Sequence, residues 1–123
     1  MIAVWDTSDQ WHVAAEEVFS QLLRDNLPLL TTSYVLLECG NSAARRPYRG
    51  GVAALRAQLR DSGLLVDPTE EELEAAWLAY VRGEAGEAGI VDHVSFVVMR
   101  RLGLKRAFTN DQHFAAAGFE ICW

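Results

Sequence analysis

The amino-acid sequence predicts an α/β protein with a mainly parallel sheet covered on both faces. Three observations carry that expectation. Short apolar runs of strand length recur along the 123 residues. The segments between them place apolar residues three to five apart, as one buried face of a helix requires. Glycine and proline punctuate the junctions.

Met1–Asp6 (MIAVWD) is a short apolar run ending in an acid, the pattern of a buried strand. From Asp9 to Asp25, Val13, Val18, Phe19, Leu22 and Leu23 recur at helical spacing. Pro28 stops that helix, and LPLLT returns as a second strand. Ser33 can cap a helix running through YVLLECGNSAAR, ended by Pro47. A helix from Gly51 to Asp61 follows, then a short strand LLVD closed by Pro68. Thr69, with Glu72 three residues on, forms a capping box that satisfies two unpaired backbone donors and opens a helix to about Arg82. GEAGEAG is a flexible link. In IVDHVSFVVMRRLG, Asp92 stands where an N-cap would, ahead of an apolar face of Val94, Val97, Val98, Met99 and Leu102. The strand KRAFT, a short helix from about Asp111 and a last strand FEICW complete the order. No internal repeat or low-complexity tract interrupts it, so a single domain over residues 1–123 is expected.

Half of the residues are hydrophobic, which suits a chain that buries part of its surface against a partner. No run approaches the roughly 20 apolar residues that span a bilayer, and no basic-then-apolar leader opens the sequence, so a cytoplasmic protein away from membranes is expected. Cys39 and Cys122 lack ligand spacing and read as small buried hydrophobes in a reducing compartment. The net charge of −6 argues at first against a nucleic-acid partner. Between Asp67 and Glu87, however, seven acids face one base, so the other residues carry ten acids and ten bases. If four of those ten acids share a metal site, the remaining surface is positive, and a polyanionic substrate is permitted.

Four acids can meet in such a fold. Asp6 ends the first strand and Asp111 follows KRAFT, so both project from the carboxyl edge of the sheet, where parallel sheets bind their ligands. Asp92 begins a helix, and Glu38 lies about a turn and a half into the Ser33 helix; both helix starts face that edge. Two carboxylates about 5 Å apart repel by roughly 3 kcal/mol at an effective dielectric of about 20. A hard divalent cation relieves that repulsion, and an all-oxygen donor set favours Mg2+ or Mn2+ over zinc. One or two such ions can activate a water and stabilise the leaving oxygen of a phosphodiester. The bland alternative is four unrelated surface or capping acids.

VWDTS, TSYVLLECGN and GIVDHVSFVVMRRLGLKRAFTNDQHFAAAGF, taken in order, resemble the PIN-domain ribonucleases, and in particular VapC-type toxins of bacterial toxin–antitoxin pairs. The likeness covers nearly the whole chain and is most specific from Gly89 to Phe119. It implies a three-layer α/β/α sandwich around a parallel sheet. It implies Asp6, Glu38, Asp92 and Asp111 as catalytic metal-site acids, with Thr7 beside the first and Thr109 and Asn110 supporting the last. It implies RNA cleavage with Mg2+ or Mn2+, silencing by a small VapB antitoxin, and a homodimer. Two features depart from many relatives: only Thr7–Gln10 separates Asp6 from the first long helix, and His93 follows the third acid where a small residue is usual.

Other residues are expected around this centre. Asn41, three residues past Glu38, shares nearly the same helix face and can orient that carboxylate or meet RNA. Arg45, Arg46 and Arg49 form a basic corner suited to phosphates or to an acidic antitoxin segment. His93 can contact phosphate when protonated. His113, two residues after Asp111, is expected to pack or hydrogen-bond there rather than act in catalysis. Two other functions compete with the toxin: a general RNA-processing nuclease of the same fold, and a catalytically silent interaction module. A phosphotransfer domain with an acid pocket fits poorly, since Asp6 lacks a paired acid and Lys105, the single lysine, precedes its strand.

Overall fold

The computed structural model describes residues 24, 30–47, 49–109 and 111–121. The predicted first strand and first long helix therefore lie outside the described residues, apart from helical Arg24. The described residues fall into two compact units, one up to Val66 and one from Asp67 onward.

In the first unit, β1 (Thr31–Thr32) leads into α1 (Ser33–Ala43), α2 (Arg49–Asp61) and β2 (Leu65–Val66). The strands pair in parallel, Thr31 opposite Leu65 and Thr32 opposite Val66. The cap of α1 falls one residue before the expected Ser33: the Thr32 hydroxyl accepts the Val35 backbone N–H at 3.2 Å. Either hydroxyl has cap chemistry, but Thr32 holds the extended backbone (φ −92°, ψ 156°) that a cap needs. Cys39, Ala43 and Val52 form the small core between α1 and α2, with Val35 against it. Cys39 is a buried free thiol, as expected of a small hydrophobe, and burial pushes its pKa up, with Glu38 adding to the effect.

The second unit contains α3 (Glu70–Val81), α4 (Ile90–Leu102), β3 (Arg106–Ala107), α5 (Gln112–Ala116) and β4 (Glu120–Ile121). Here too the pairing is parallel, Arg106 opposite Glu120 and Ala107 opposite Ile121. The predicted parallel α/β pattern thus holds in both described strand pairs. The capping box at α3 forms as expected, with Thr69 Oγ1 accepting from Glu72 N at 3.1 Å and Glu72 Oε1 accepting from Thr69 N at 2.9 Å. Glu72 also accepts from Arg101 Nε at 2.7 Å, which ties the start of α3 to the end of α4. Gly103 ends α4 at φ 70°, a conformation that L side chains resist, and lets Leu104 N return to Met99 O at 2.8 Å.

Phe96 is the pivot of this unit. At 1% exposure it packs edge-on against Phe114 (centroids 4.8 Å apart) and lies 5.7 Å from Phe119. Full burial of such a ring contributes about 2–3 kcal/mol. The buried face of α4 differs from the expected one: His93, Val94, Ser95, Phe96 and Val98 are buried, while Leu102 is 39% exposed. Arg100 is drawn into the same cluster, stacking 5.4 Å above Phe119 and donating to Ala117 O at 3.0 Å.

Candidate functional site

The packing of Phe96 on Phe114 has a consequence for chemistry. Asp92 lies one turn before Phe96 on α4, and Asp111 lies three residues before Phe114, capping α5. Clamping the two rings brings the acids together: among the described residues, a ligand atom each from Asp92, Asp111 and His113 lie within 4.8 Å of one another.

Asp92 is not the N-cap that its position suggested. The cap is Gly89, which has no side chain to offer, and Asp92 is the third residue of α4. Its carboxylate lies half-buried and, from the third helical position, reaches back towards the Gly89 backbone. Burial pushes its pKa up, and the charge of Asp111 pushes it further; the Gly89 backbone, His113 and His93 act the other way. Burial beside a second carboxylate disfavours the charged form of this acid.

Asp111 is held differently. Its Oδ1 accepts the His113 backbone N–H at 2.9 Å, and the His113 Nδ1 lies 2.9 Å from the same oxygen. Its own N–H donates to Thr109 Oγ1 at 3.1 Å. His113 does hydrogen-bond here, through its backbone N–H, while its place in the cluster is not readable from the sequence. The available signal was its spacing of two from Asp111, which suits a turn closing on the carboxylate.

Glu38 stands exposed on α1 in the first unit, with Asn41, also exposed, three residues along the same helix. Arg45 and Arg46 are exposed in the turn after α1, and Arg49 is exposed at the first position of α2, so the basic corner is a surface feature. Asp6, Thr7 and Asn110 lie outside the described residues. His93 corrects an expectation: at 2% exposure it cannot meet RNA or an antitoxin. Its ring stands edge-on to Tyr80 (6.1 Å) and Phe96 (5.4 Å), because it falls on the inward face of α4. Its Nε2 is buried with no hydrogen-bond partner.

Parallel strands joined through helices, with a helix-borne acid beside an acid that follows a strand, define an α/β protein with an acidic site. A model of the PIN domain matches residues 2–120, and the chain belongs to that family. It is similar to the 23S rRNA-specific endonuclease VapC20 of Mycobacterium tuberculosis, in strains CDC 1551 / Oshkosh and ATCC 25618 / H37Rv. Each alignment is 36% identical over 92 residues, covering 74% of this chain and 70% of the relative. The crystal structure of Mycobacterium tuberculosis VapC20, described as a Sarcin-Ricin loop cleaving toxin, superposes with a TM-score of 0.77. At 30% identity it covers 96% of this chain and 89% of that one. The recognition and the α/β, PIN-like fold expected from sequence are thereby borne out. Among the described residues no helix is long and apolar enough to cross a membrane.

Proposed function

We propose that this chain is a Mg2+- or Mn2+-dependent endoribonuclease and the toxin of a toxin–antitoxin pair, acting as a single PIN domain. One observation carries the reading: in a chain of this family, Asp92, Asp111 and His113 converge within 4.8 Å. The donor chemistry fits a hard divalent cation, since carboxylates dominate and the half-buried Asp92 is short of positive charge. Asp92 and Asp111 would hold the ion together with Asp6 and Glu38. When bound, the ion supplies Lewis-acid chemistry for phosphodiester hydrolysis.

The chain's own residues do the rest. Asp92 and Asp111 fix the charge of the site from two elements that Phe96 locks together. Thr109 pins the backbone of Asp111, and Thr7, Asn41 and Asn110 support the neighbouring acids. Arg45, Arg46 and Arg49, exposed and close in sequence, supply cationic donors for RNA phosphates or for an acidic segment of a VapB-type antitoxin. The substrate is RNA, and the name of the relative makes the sarcin–ricin loop of 23S rRNA the first target to test. A homodimer in the cytoplasm completes the reading.

The test is direct. Purified protein incubated with 23S rRNA is expected to produce a discrete fragment with Mg2+ or Mn2+ and none with EDTA. Equal cleavage in EDTA overturns the metal dependence, and no cleavage of any RNA under any divalent ion leaves an interaction module in place of the enzyme.

A further inference from the structure

The outward face of α3 changes character along its length. An α-helix repeats about every 3.6 residues, so the buried Glu72 and Ala76 define its inward side, packed on α4. Glu70 and Glu74 stand exposed on the opposite side of the first half, as a solvated face should. In the second half that side is apolar: Trp77, Leu78 and Val81 are 50%, 51% and 78% exposed. Scattered exposed apolar residues are ordinary, but an adjoining set on one face marks a surface that something covers. Trp77 is also held ready. Its ring meets Tyr80 edge-on with centroids 5.7 Å apart, Tyr80 meets the buried His93, and His93 meets Phe96. A braced, half-exposed aromatic ring loses little freedom on burial, and such side chains commonly anchor interfaces.

We infer that Trp77, Leu78 and Val81 form the centre of a two-fold interface, on which a second copy of this chain lays its own α3 antiparallel. This deepens the homodimer of the reading above and rests on that part of it alone, not on the nuclease chemistry. Charge decides the occupant. Glu70, Glu71, Glu74, Glu84 and Glu87 are exposed in and around α3, with Arg82 the single base between Asp67 and Glu87, so a polyanion such as RNA is repelled. A second α3 matches the pattern instead. With the two-fold axis beside position 79, Trp77 faces Val81 of the partner subunit. At a rise of about 1.5 Å per residue, Arg82 then stands about 3 Å along the helix from the partner's Glu74, and the symmetry makes that contact twice. Among the described residues, neither Arg82 nor Glu74 has an ion pair within its own chain. Gly83, at φ 68°, turns the chain away, so Glu84 leaves the helical track on which it would oppose the partner's Glu74. Trp77, Leu78, Tyr80 and Val81 offer on the order of 400 Å2 per subunit, about half of what a standard interface takes from each partner. The patch is thus large enough for a centre, with the charged pairs at its rim.

Sedimentation velocity of the full chain over a concentration series tests the pairing in the wild type, in Val81→Asp, in Glu74→Arg, in Arg82→Glu and in the double variant with both charges reversed. All three positions are exposed, and circular dichroism verifies the fold of each variant. Val81→Asp is expected to raise the dimer Kd about 30-fold or more, as loss of a central contact does. Each single charge reversal is expected to raise it about 10-fold, and the double variant to return to within about three-fold of the wild type, because the facing charges are again opposite. A dimer that withstands Val81→Asp overturns this inference while leaving the homodimer standing on another surface. Losses that add in the double variant overturn the antiparallel pairing. A wild type that stays monomeric at every concentration overturns the homodimer and this inference together, and binding of RNA or of an antitoxin that Val81→Asp abolishes in that monomer assigns the face to that partner.

Discussion

Glu72 and Asp92 occupy the same register: each is the third residue of its helix, α3 and α4 respectively. Their surroundings oppose each other. Glu72 is 7% exposed and fully compensated, accepting from the Thr69 backbone and from Arg101. Its pKa falls, first because of the Thr69 backbone hydrogen bond, with Arg101 assisting against the cost of burial. Asp92 faces Asp111 in place of an arginine, and its pKa rises through burial and that neighbouring charge. Local helix geometry is shared, so the difference lies in the tertiary partners. An acid given its counter-charge by the fold stabilises the fold, whereas an acid denied one is left to bind something else.

The contrast is broken most severely at Asp92. Asp92→Asn keeps the shape and removes the charge, and is expected to reduce RNA cleavage by at least about 100-fold, the upper end of what losing even an indirect metal partner costs. The same variant, free of metal, is expected to melt at or above the wild-type temperature because repulsion from Asp111 is relieved. Cleavage assays and thermal unfolding in EDTA check the two halves. A variant that unfolds readily without metal would make Asp92 a structural acid like Glu72.

Glu72→Ala inverts the experiment. It strips the capping box and leaves Arg101 without its ion pair, at a cost of about 1–2 kcal/mol. The melting temperature should drop by roughly 4–8 °C, while cleavage at a temperature where the protein is folded stays within about two-fold of wild type. Loss of activity in the folded variant would show that the α3–α4 tie also shapes the site.

Some of this contrast was legible in the sequence. Thr69 and Glu72 announce a capping box by spacing alone, because both partners of each hydrogen bond lie within one turn. Asp92 and Asp111 are legible as candidate site acids because each sits at the boundary of a patterned element, and the resemblance runs through the same residues. What escaped depends on residues distant in sequence or on rotamers. The partner of Glu72 is Arg101, 29 residues away. His93 could not be placed between Tyr80 and Phe96 without knowing which face of α4 meets α3. The caps at Thr32 and Gly89 turned on backbone angles that adjacent residues of similar chemistry leave open. His113 required knowing that its ring folds back on Asp111. Asp6 stands outside the described residues, so its part in the four-acid set rests on the resemblance.

Acid titration gives the finest test, since the two shifts have opposite signs. Glu72 has a folded pKa below its ordinary value, near 4.3 in an unfolded chain. Its contribution to stability is therefore complete above about that pH and is lost as pH falls through the lowered folded value. Asp92 has a folded pKa above its ordinary value, near 3.9. Its contribution is complete below about that pH and is lost as pH rises through the raised folded value. In EDTA, the melting-temperature deficit of Glu72→Ala should thus shrink on acidification below about pH 4. The advantage of Asp92→Asn should instead open as pH climbs from about 4 and then level off once wild-type Asp92 is fully ionised. Parallel pH curves for the two variants would mean that both acids are equally compensated. Divergent curves that converge when Mn2+ is added would identify Asp92 as the acid whose missing counter-charge the ion provides.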